Sequence, residues 1–293
     1  MKYAVLIHLI DWHHEKSEFL IKEDICLICL EGHPVKILYH KLCYETGLDG
    51  GEPYTFNVAL LLTDNKEEDI SIYPNSSHWS LSSMILNLLT MIYGGTLGHC
   101  RIIGSKDSFD TCWGTYELYE PLSEGVYELQ ASGTKLGSYE LNLMQTICTN
   151  LKATTATNSK HTRINNALTF FYLAWNVHTF EQTIIGLSIV METMFSPGSN
   201  SELSHQVSYN IAKFACLTKN ERQEKYKAIK KYYSIRSKIV HGEPINTEEY
   251  DSIPILFKFI SSVLLKILSD KTLIIIFNDN KLRRQYLDDL IFN

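Results

Sequence analysis

The stretch YYSIRSKIVHGEP, residues 232–244, sets Arg236, Lys238 and His241 within six residues of one another, immediately before Gly242 and Pro244. Glycine tolerates the left-handed conformation that closes a helix, and a proline just beyond cannot continue one, so the stretch reads as a helix C-terminus. Its cations are then either a solvated helix end or reactive groups. Upstream, residues 219–238 hold Lys219, Arg222, Lys225, Lys227, Lys230, Lys231, Arg236 and Lys238 against Glu221 and Glu224, a local excess of six positive charges on a chain whose formal net charge is -6. Thr218 with Glu221 three residues later predicts a capping box at the start of this helix, with Tyr226, Ile229, Tyr233 and Val240 turned inward. A basic helix on an acidic protein is either a solvated face or a surface that follows a nucleic-acid phosphate backbone, with Lys227, Lys230 and Lys231 as the candidates for phosphate contact.

The same helical period extends through the C-terminal half. Ile164, Leu168, Phe171 and Trp175 form one stripe. Thr179 with Gln182 opens a helix through Ile184, Leu187, Met191 and Met194 that stops at Ser196, Pro197 and Gly198. Ser199 with Glu202 predicts another start, followed by Leu203, Val207, Ile211 and Phe214; further helices are expected over 139–151 and 252–268, with a loop over 152–162. Helices joined by short loops make a bundle the economical solution. Before the interruption ASGTKLGS, residues 131–138, the runs at 3–10, 25–30, 35–39, 56–63, 70–73, 101–103 and 126–129 read as strands, and residues 80–95 as a helix packed on a sheet. The expected fold is an α+β N-terminal domain, residues 1–135, followed by an all-α helical bundle with a C-terminal tail, residues 136–293.

With 45% hydrophobic and 20% charged residues, the 293-residue chain can bury one large core or two ordinary ones and lacks the composition of a disordered protein. Residues 1–14 lack a basic leader and a cleavage site, and the apolar runs at 253–268 and 273–277 are broken by Lys258, Lys266 and Asp270. A cytoplasmic protein without a membrane span is therefore expected. Seven cysteines, an odd number, suit reduced thiols better than a disulfide framework. Cys26, Cys29, His40 and Cys43 have a nominal zinc spacing, but ICLICL reads as a strand, in which residues three apart point to opposite faces. His205 reads as a polar helix-face residue, and Trp12, His13 and His14 as a strand end or part of a pocket. Neither a phosphate-binding glycine loop nor a nucleophile elbow is present.

RSKIVHG, residues 236–242, resembles the Arg-x4-His motif of the HEPN superfamily, and most closely its Apea-like group. SIVMETMFS, residues 188–196, and SELSHQVSYNIAKF, residues 201–214, resemble that group's preceding helices in order and distance. The resemblance covers residues 139–269 and implies an all-α HEPN bundle that cleaves RNA without metal or cofactor, in bacterial antiphage defence or as a toxin. It implies that His241 moves protons and Arg236 holds the phosphoryl oxygens, with Ser237, Lys238 and Glu192 in support, Glu192 as an orienting group or a surface glutamate. Serine at 237 agrees with the Apea-like pattern but departs from the more polar residues found there elsewhere in the superfamily. It further implies a homodimer with facing motif helices, which would answer a geometric difficulty: residues five apart on an ideal helix lie about 140° apart. The N-terminal domain is expected to sense a trigger ligand or partner, or to select substrate. The alternative is a catalytically silent bundle that binds RNA or protein.

Overall fold

The computed structural model describes residues 2–8, 11–12, 14–22, 25–29, 31, 56–63, 88–92, 99–105, 112–113, 135–155, 162–175, 179–196 and 202–292. Among the described residues, strands predominate in the N-terminal part and helices make up the rest. The expected strands at 35–39, 70–73 and 126–129 lie outside the described residues.

β1 (Lys2–His8), β3 (Glu18–Lys22), β4 (Ile25–Cys29), β5 (Phe56–Thr63), β6 (His99–Ser105) and β7 (Cys112–Trp113) form one sheet in the order β3-β4-β5-β1-β6-β7. Every neighbouring pair is antiparallel, and β1 is interior: Val5 lies opposite Leu60 on one side and Ile102 on the other. β2 (Asp11–Trp12) pairs in parallel with β8 (Lys135–Leu136). Strand β3 was not foreseen, because Glu18 and Lys22 flank only a short apolar run. Within the expected helix at 80–95, residues 88–92 are helical and bury Leu88, Leu89 and Met91.

The chain divides into two compact units inside α1 (Ser138–Thr155): the described residues of the first end at Cys148, and those of the second begin at Thr149. The second unit continues through α2 (Thr162–Trp175), α3 (Phe180–Phe195), α4 (Leu203–Ala215), α5 (Lys219–Val240), α6 (Thr247–Asp251), α7 (Ile253–Ser269), α8 (Lys271–Asn278) and α9 (Asn280–Phe292). α3 is its centre and touches α2, α4, α5 and α7. Thr179 caps it as expected, accepting a hydrogen bond from the Gln182 N–H, and its apolar residues Ile184, Leu187, Val190, Met191, Met194 and Phe195 are buried.

Four sequence expectations are corrected. Residues 152–155 of the expected loop continue α1. Ser199 and Glu202 do not open α4 as a capping pair: Glu202 is itself the N-cap and adopts φ 54°, a left-handed conformation that stops the helix from extending further back. Val240 is 56% exposed instead of inward, while Tyr232 and Ile235 are buried. The C-terminal tail is two helices, and Phe277 packs between Phe195 and Phe214 at ring distances of 5.3 Å. Arg283, 3% exposed, donates to the carbonyls of Met194 and Ser196 at the end of α3, and Arg163 donates to that of Thr193. Burial pushes the Arg283 pKa down to about 10. By length and composition Thr247–Ser269 could cross a membrane despite its two lysines, and Leu256, Phe257, Ile260, Leu264 and Ile267 on that stretch are buried within the bundle.

Gly186 sets the approach of α2 to α3. A Cβ placed there would lie 2.8 Å from the Ala174 Cβ and 3.1 Å from its Cα, so the two backbones pass too closely for any side chain. Gly186→Val is expected to lower unfolding stability by about 2–3 kcal/mol, the usual cost of overpacking a rigid contact, measured by denaturant titration at constant m-value. An unchanged midpoint would mean the helices can separate freely.

Candidate functional site

α5 carries the motif and is fixed at both ends. At its start Thr218 Oγ1 accepts from the Glu221 N–H at 3.3 Å, and Glu221 Oε2 accepts from the Thr218 N–H at 3.0 Å, the reciprocal pair expected from the sequence. At its end the Gly242 N–H reaches the Ile239 carbonyl at 3.1 Å and the Glu243 N–H reaches that of Lys238 at 2.9 Å, with Gly242 at φ 72°. This double closure satisfies carbonyls that would otherwise be orphaned, and glycine supplies the left-handed residue it needs. His241 is the cap residue between helix and turn, its N–H bonded to the Ser237 carbonyl at 3.0 Å and its side chain exposed.

Because the helix is regular up to Val240, Arg236 and His241 project about 140° apart, and one chain does not bring them together. Arg236 lies on the half-buried side, where α5 meets α3. Its guanidinium acts on the Glu192 carboxylate and on the Tyr233 phenol: burial pushes Glu192 up, while Arg236 and the Tyr233 hydroxyl pull it down, and burial prevails. Burial, reinforced by the Glu192 charge, raises Tyr233 far above the ordinary phenol range. The Tyr233 hydroxyl lies near Glu192, yet among the described residues it meets no partner in full hydrogen-bond geometry. Glu192, Tyr233 and Arg236 therefore form a loosely coupled polar cluster at the edge of the core. Glu192 stands in the electrostatic reach of Arg236, where an orienting group would stand.

Lys238 is occupied. Its Nζ donates to Glu249 Oε1 at 2.6 Å, and Glu249 Oε2 in turn accepts from the Asn246 N–H at 3.0 Å in the capping box of α6. The Lys238 hydrogen bond, and after it the Asn246 N–H, holds the Glu249 carboxyl below its usual range. With the Tyr232 hydroxyl donating to the Ser252 carbonyl at 2.9 Å, this ties the turn after His241 back onto α5. Lys238 thus orders the backbone around the histidine.

The remaining cations sort by face. Arg222 Nε donates to the Cys216 carbonyl at 3.0 Å, and Lys225 Nζ sits 4.2 Å over the Phe259 ring, both on the side that meets the bundle. Lys227, Lys230 and Lys231 are exposed and share the side of His241, opposite Arg236. Ser237 is exposed there too. One cluster had no sequence signal beyond the i, i+4 spacing of His205 and Tyr209: His205 Nδ1 and the Tyr226 hydroxyl are 2.7 Å apart, the His205 ring stacks toward Tyr209 at 6.2 Å, and Lys230 Nζ lies 5.9 Å over Tyr226.

Cys26 and Cys29 are half-exposed on β4, three residues apart and hence on opposite faces; His40 and Cys43 lie outside the described residues. Burial, and after it the charge of Glu18, raises the Cys26 thiol pKa, which disfavours the thiolate a metal requires. Among the described residues no group of three or more His, Cys, Asp and Glu side chains is placed to hold a metal ion. His13 lies outside the described residues, and His14 packs edge-on against Phe19 at 5.4 Å.

No family model matches the chain, and neither a curated protein nor a solved structure matches it.

The Glu192 shift fixes a sign. A carboxyl whose folded pKa is raised contributes stability present below its unfolded pKa of about 4.3 and lost as pH rises through the folded value. Thermal midpoints of Glu192→Gln should therefore gain on those of the natural protein as pH is raised from about 4 toward neutrality. A difference that stays constant across that range would show that Glu192 ionises as freely as in water.

Proposed function

We infer that this chain is a metal-independent endoribonuclease of the HEPN kind, acting as a homodimer. The observation that carries the reading is the placement of His241: exposed, held by the double closure at Gly242, and on the same side of α5 as Lys227, Lys230 and Lys231. Lysines in a row supply sequence-independent affinity for a phosphate backbone, and a histidine beside them supplies proton transfer near neutral pH. Attack of a ribose 2′-hydroxyl on its own phosphate, with loss of that proton to water, forms the P–O2′ bond and breaks P–O5′. His241 donates a proton to the departing 5′-oxygen, a role favoured by the negative end of the helix dipole. Arg236 stabilises the extra charge on phosphorus.

The divergence of Arg236 and His241 supports a two-fold arrangement, in which the histidine of one protomer and the arginine of its partner border one cleft. Val240, 56% exposed beside His241, gives the tip of α5 apolar surface for such a contact. A second reading is supported by Arg236 itself: turned toward Glu192 and Tyr233, it suits a structural cation in a silent bundle that binds RNA. In the nuclease reading the N-terminal unit senses the trigger or selects the substrate.

Purified protein with excess chelator should cut RNA to 2′,3′-cyclic phosphate and 5′-hydroxyl ends, and His241→Ala should slow cleavage by roughly 10²- to 10⁴-fold while leaving the melting curve in place. Cleavage that needs magnesium and leaves 5′-phosphate would sink the mechanism. Binding without any cleavage would favour the silent bundle.

The shared cleft has its own test. Arg236→Ala and His241→Ala proteins, each inactive alone, should regain part of the activity when mixed under conditions that exchange subunits. Full activity in a strictly monomeric protein would refute the two-fold site.

A further inference from the structure

Tyr226, Lys230, Ser234, Ser237 and His241 recur at spacings of four, four, three and four along α5, so they lie within about 80° of one another around the helix and form one stripe about 22 Å long. His241 ends the stripe at one extreme. At the other, the Tyr226 hydroxyl and His205 Nδ1 of α4 are 2.7 Å apart, their rings edge to face at 5.6 Å, and the exposed His205 ring lies nearly parallel to Tyr209, at an interplanar angle of 21°. Two ammonium groups flank these rings: Lys230 Nζ lies 5.9 Å from the Tyr226 centroid, and Lys213 Nζ, which also donates to the Leu290 carbonyl, lies 5.4 Å from that of Tyr209.

Tyrosine and histidine carry a polar tip on an apolar ring and are commonly left half-exposed, whereas Phe195, Phe214 and Phe277 go inward; here three such rings gather between two helices with His205 exposed and Tyr209 and Tyr226 half-buried. What the cluster offers is flat ring surface bordered by cations, the pairing that recognises unpaired nucleobases and their phosphates together. A duplex offers phosphates but keeps its base faces stacked internally.

We propose that His205, Tyr209 and Tyr226 form a stacking platform for an unpaired nucleobase, and that the stripe from Tyr226 to His241 is the track of a single RNA strand whose next phosphates meet Lys230 and Lys227. The platform selects single-stranded substrate at a distance from the scissile bond. It deepens the endoribonuclease reading and rests on it for the identity of the polymer.

The probe is a fluorescent 2′-O-methyl oligoribonucleotide of about twelve nucleotides, long enough to span the stripe and unable to undergo 2′-hydroxyl attack, used alone and annealed to its complement. Tyr226→Leu should weaken binding of the single strand by about 5- to 100-fold and of the duplex by less than about 2-fold, while Tyr226→Phe, which keeps the ring, should bind as the natural protein does. His205→Leu, at an exposed position, repeats the test where Tyr226→Leu proves unstable by its melting curve. Lys230→Gln should reduce the salt dependence of single-strand binding by about one phosphate contact. Equal losses for strand and duplex, no loss in either leucine variant, or no single-strand binding by the natural protein would each overturn the platform. Cleavage that depends on His241 but not on these rings refutes the platform and leaves the nuclease reading in place; ring-dependent binding without cleavage does the reverse.

Discussion

The close passage of α2 over α3 at Gly186 is the contact on which the helical unit depends. With Ala174 on the facing helix, it lets the two backbones approach without an intervening side chain, and the Thr183 hydroxyl donates to the Ala174 carbonyl at 2.9 Å in the same seam. Once α3 is seated, its other faces are committed: Phe195 meets Phe214 of α4 and Phe277 of α8, and α5 lies along the side that carries Glu192. The carboxylate near Arg236 is therefore placed by helix packing two turns away and not by any local property of the motif. A half-buried glutamate in that position costs desolvation, which is why its pKa is raised although a guanidinium stands nearby.

The cations of α5 illustrate why net charge misleads. Arg222, Lys225 and Lys238 are consumed by a carbonyl, a ring and a carboxylate, and each fixes one segment of chain against α5. Lys227, Lys230 and Lys231 face solvent, on the side opposite the core. The helix thus uses one set of cations to hold itself in the bundle and presents another, on one side, to whatever anion approaches. An excess of six charges in sequence becomes a narrower and more directed field in space.

Much of this was legible in the sequence where a signal is local. The box at Thr218 and the closure at Gly242 each depend on residues within one turn and formed as their spacing implies, while at Thr179 the spacing gave the cap alone, with Gln182 donating its N–H and no reciprocal side-chain bond among the described residues. Glu202 failed as part of a capping pair because the left-handed conformation it adopts is invisible in residue type. The C-terminal helices were missed despite available signals: Asp270 accepts from the Thr272 N–H at 2.7 Å, and Asp279 from the Lys281 and Leu282 N–H groups at 2.8 Å, both as N-caps. The run LIIIF between them has the β-branched character of a strand, and helical packing of Phe277 against two phenylalanines overrode it. At the site, the angular divergence of Arg236 and His241 follows from their spacing alone. The meeting of His205 with Tyr226 does not, since it needs the packing of α4 on α5.

Arg283 shows the same limit from the energetic side. In sequence it belongs to a polar run, KLRRQ, and reads as solvated, yet it is 3% exposed. What draws it in is the end of α3: helices leave their last carbonyls without intrahelical partners, and a guanidinium offers several donors in a plane to carbonyls that would otherwise be unpaired. Arg283 meets two of them and Arg163 a third, while Arg163 also bonds Asn280 on α9. Burial opposes the charge, the proximity of the two guanidiniums adds to that cost, and Nε of each is left without a partner among the described residues. The arrangement persists because it closes the C-terminal end of the central helix and anchors α9 in one step. The segment that looks like a tail in sequence is thereby a structural part of the helix that carries Glu192, and the geometry around Arg236 depends on residues nearly fifty positions beyond it in the chain.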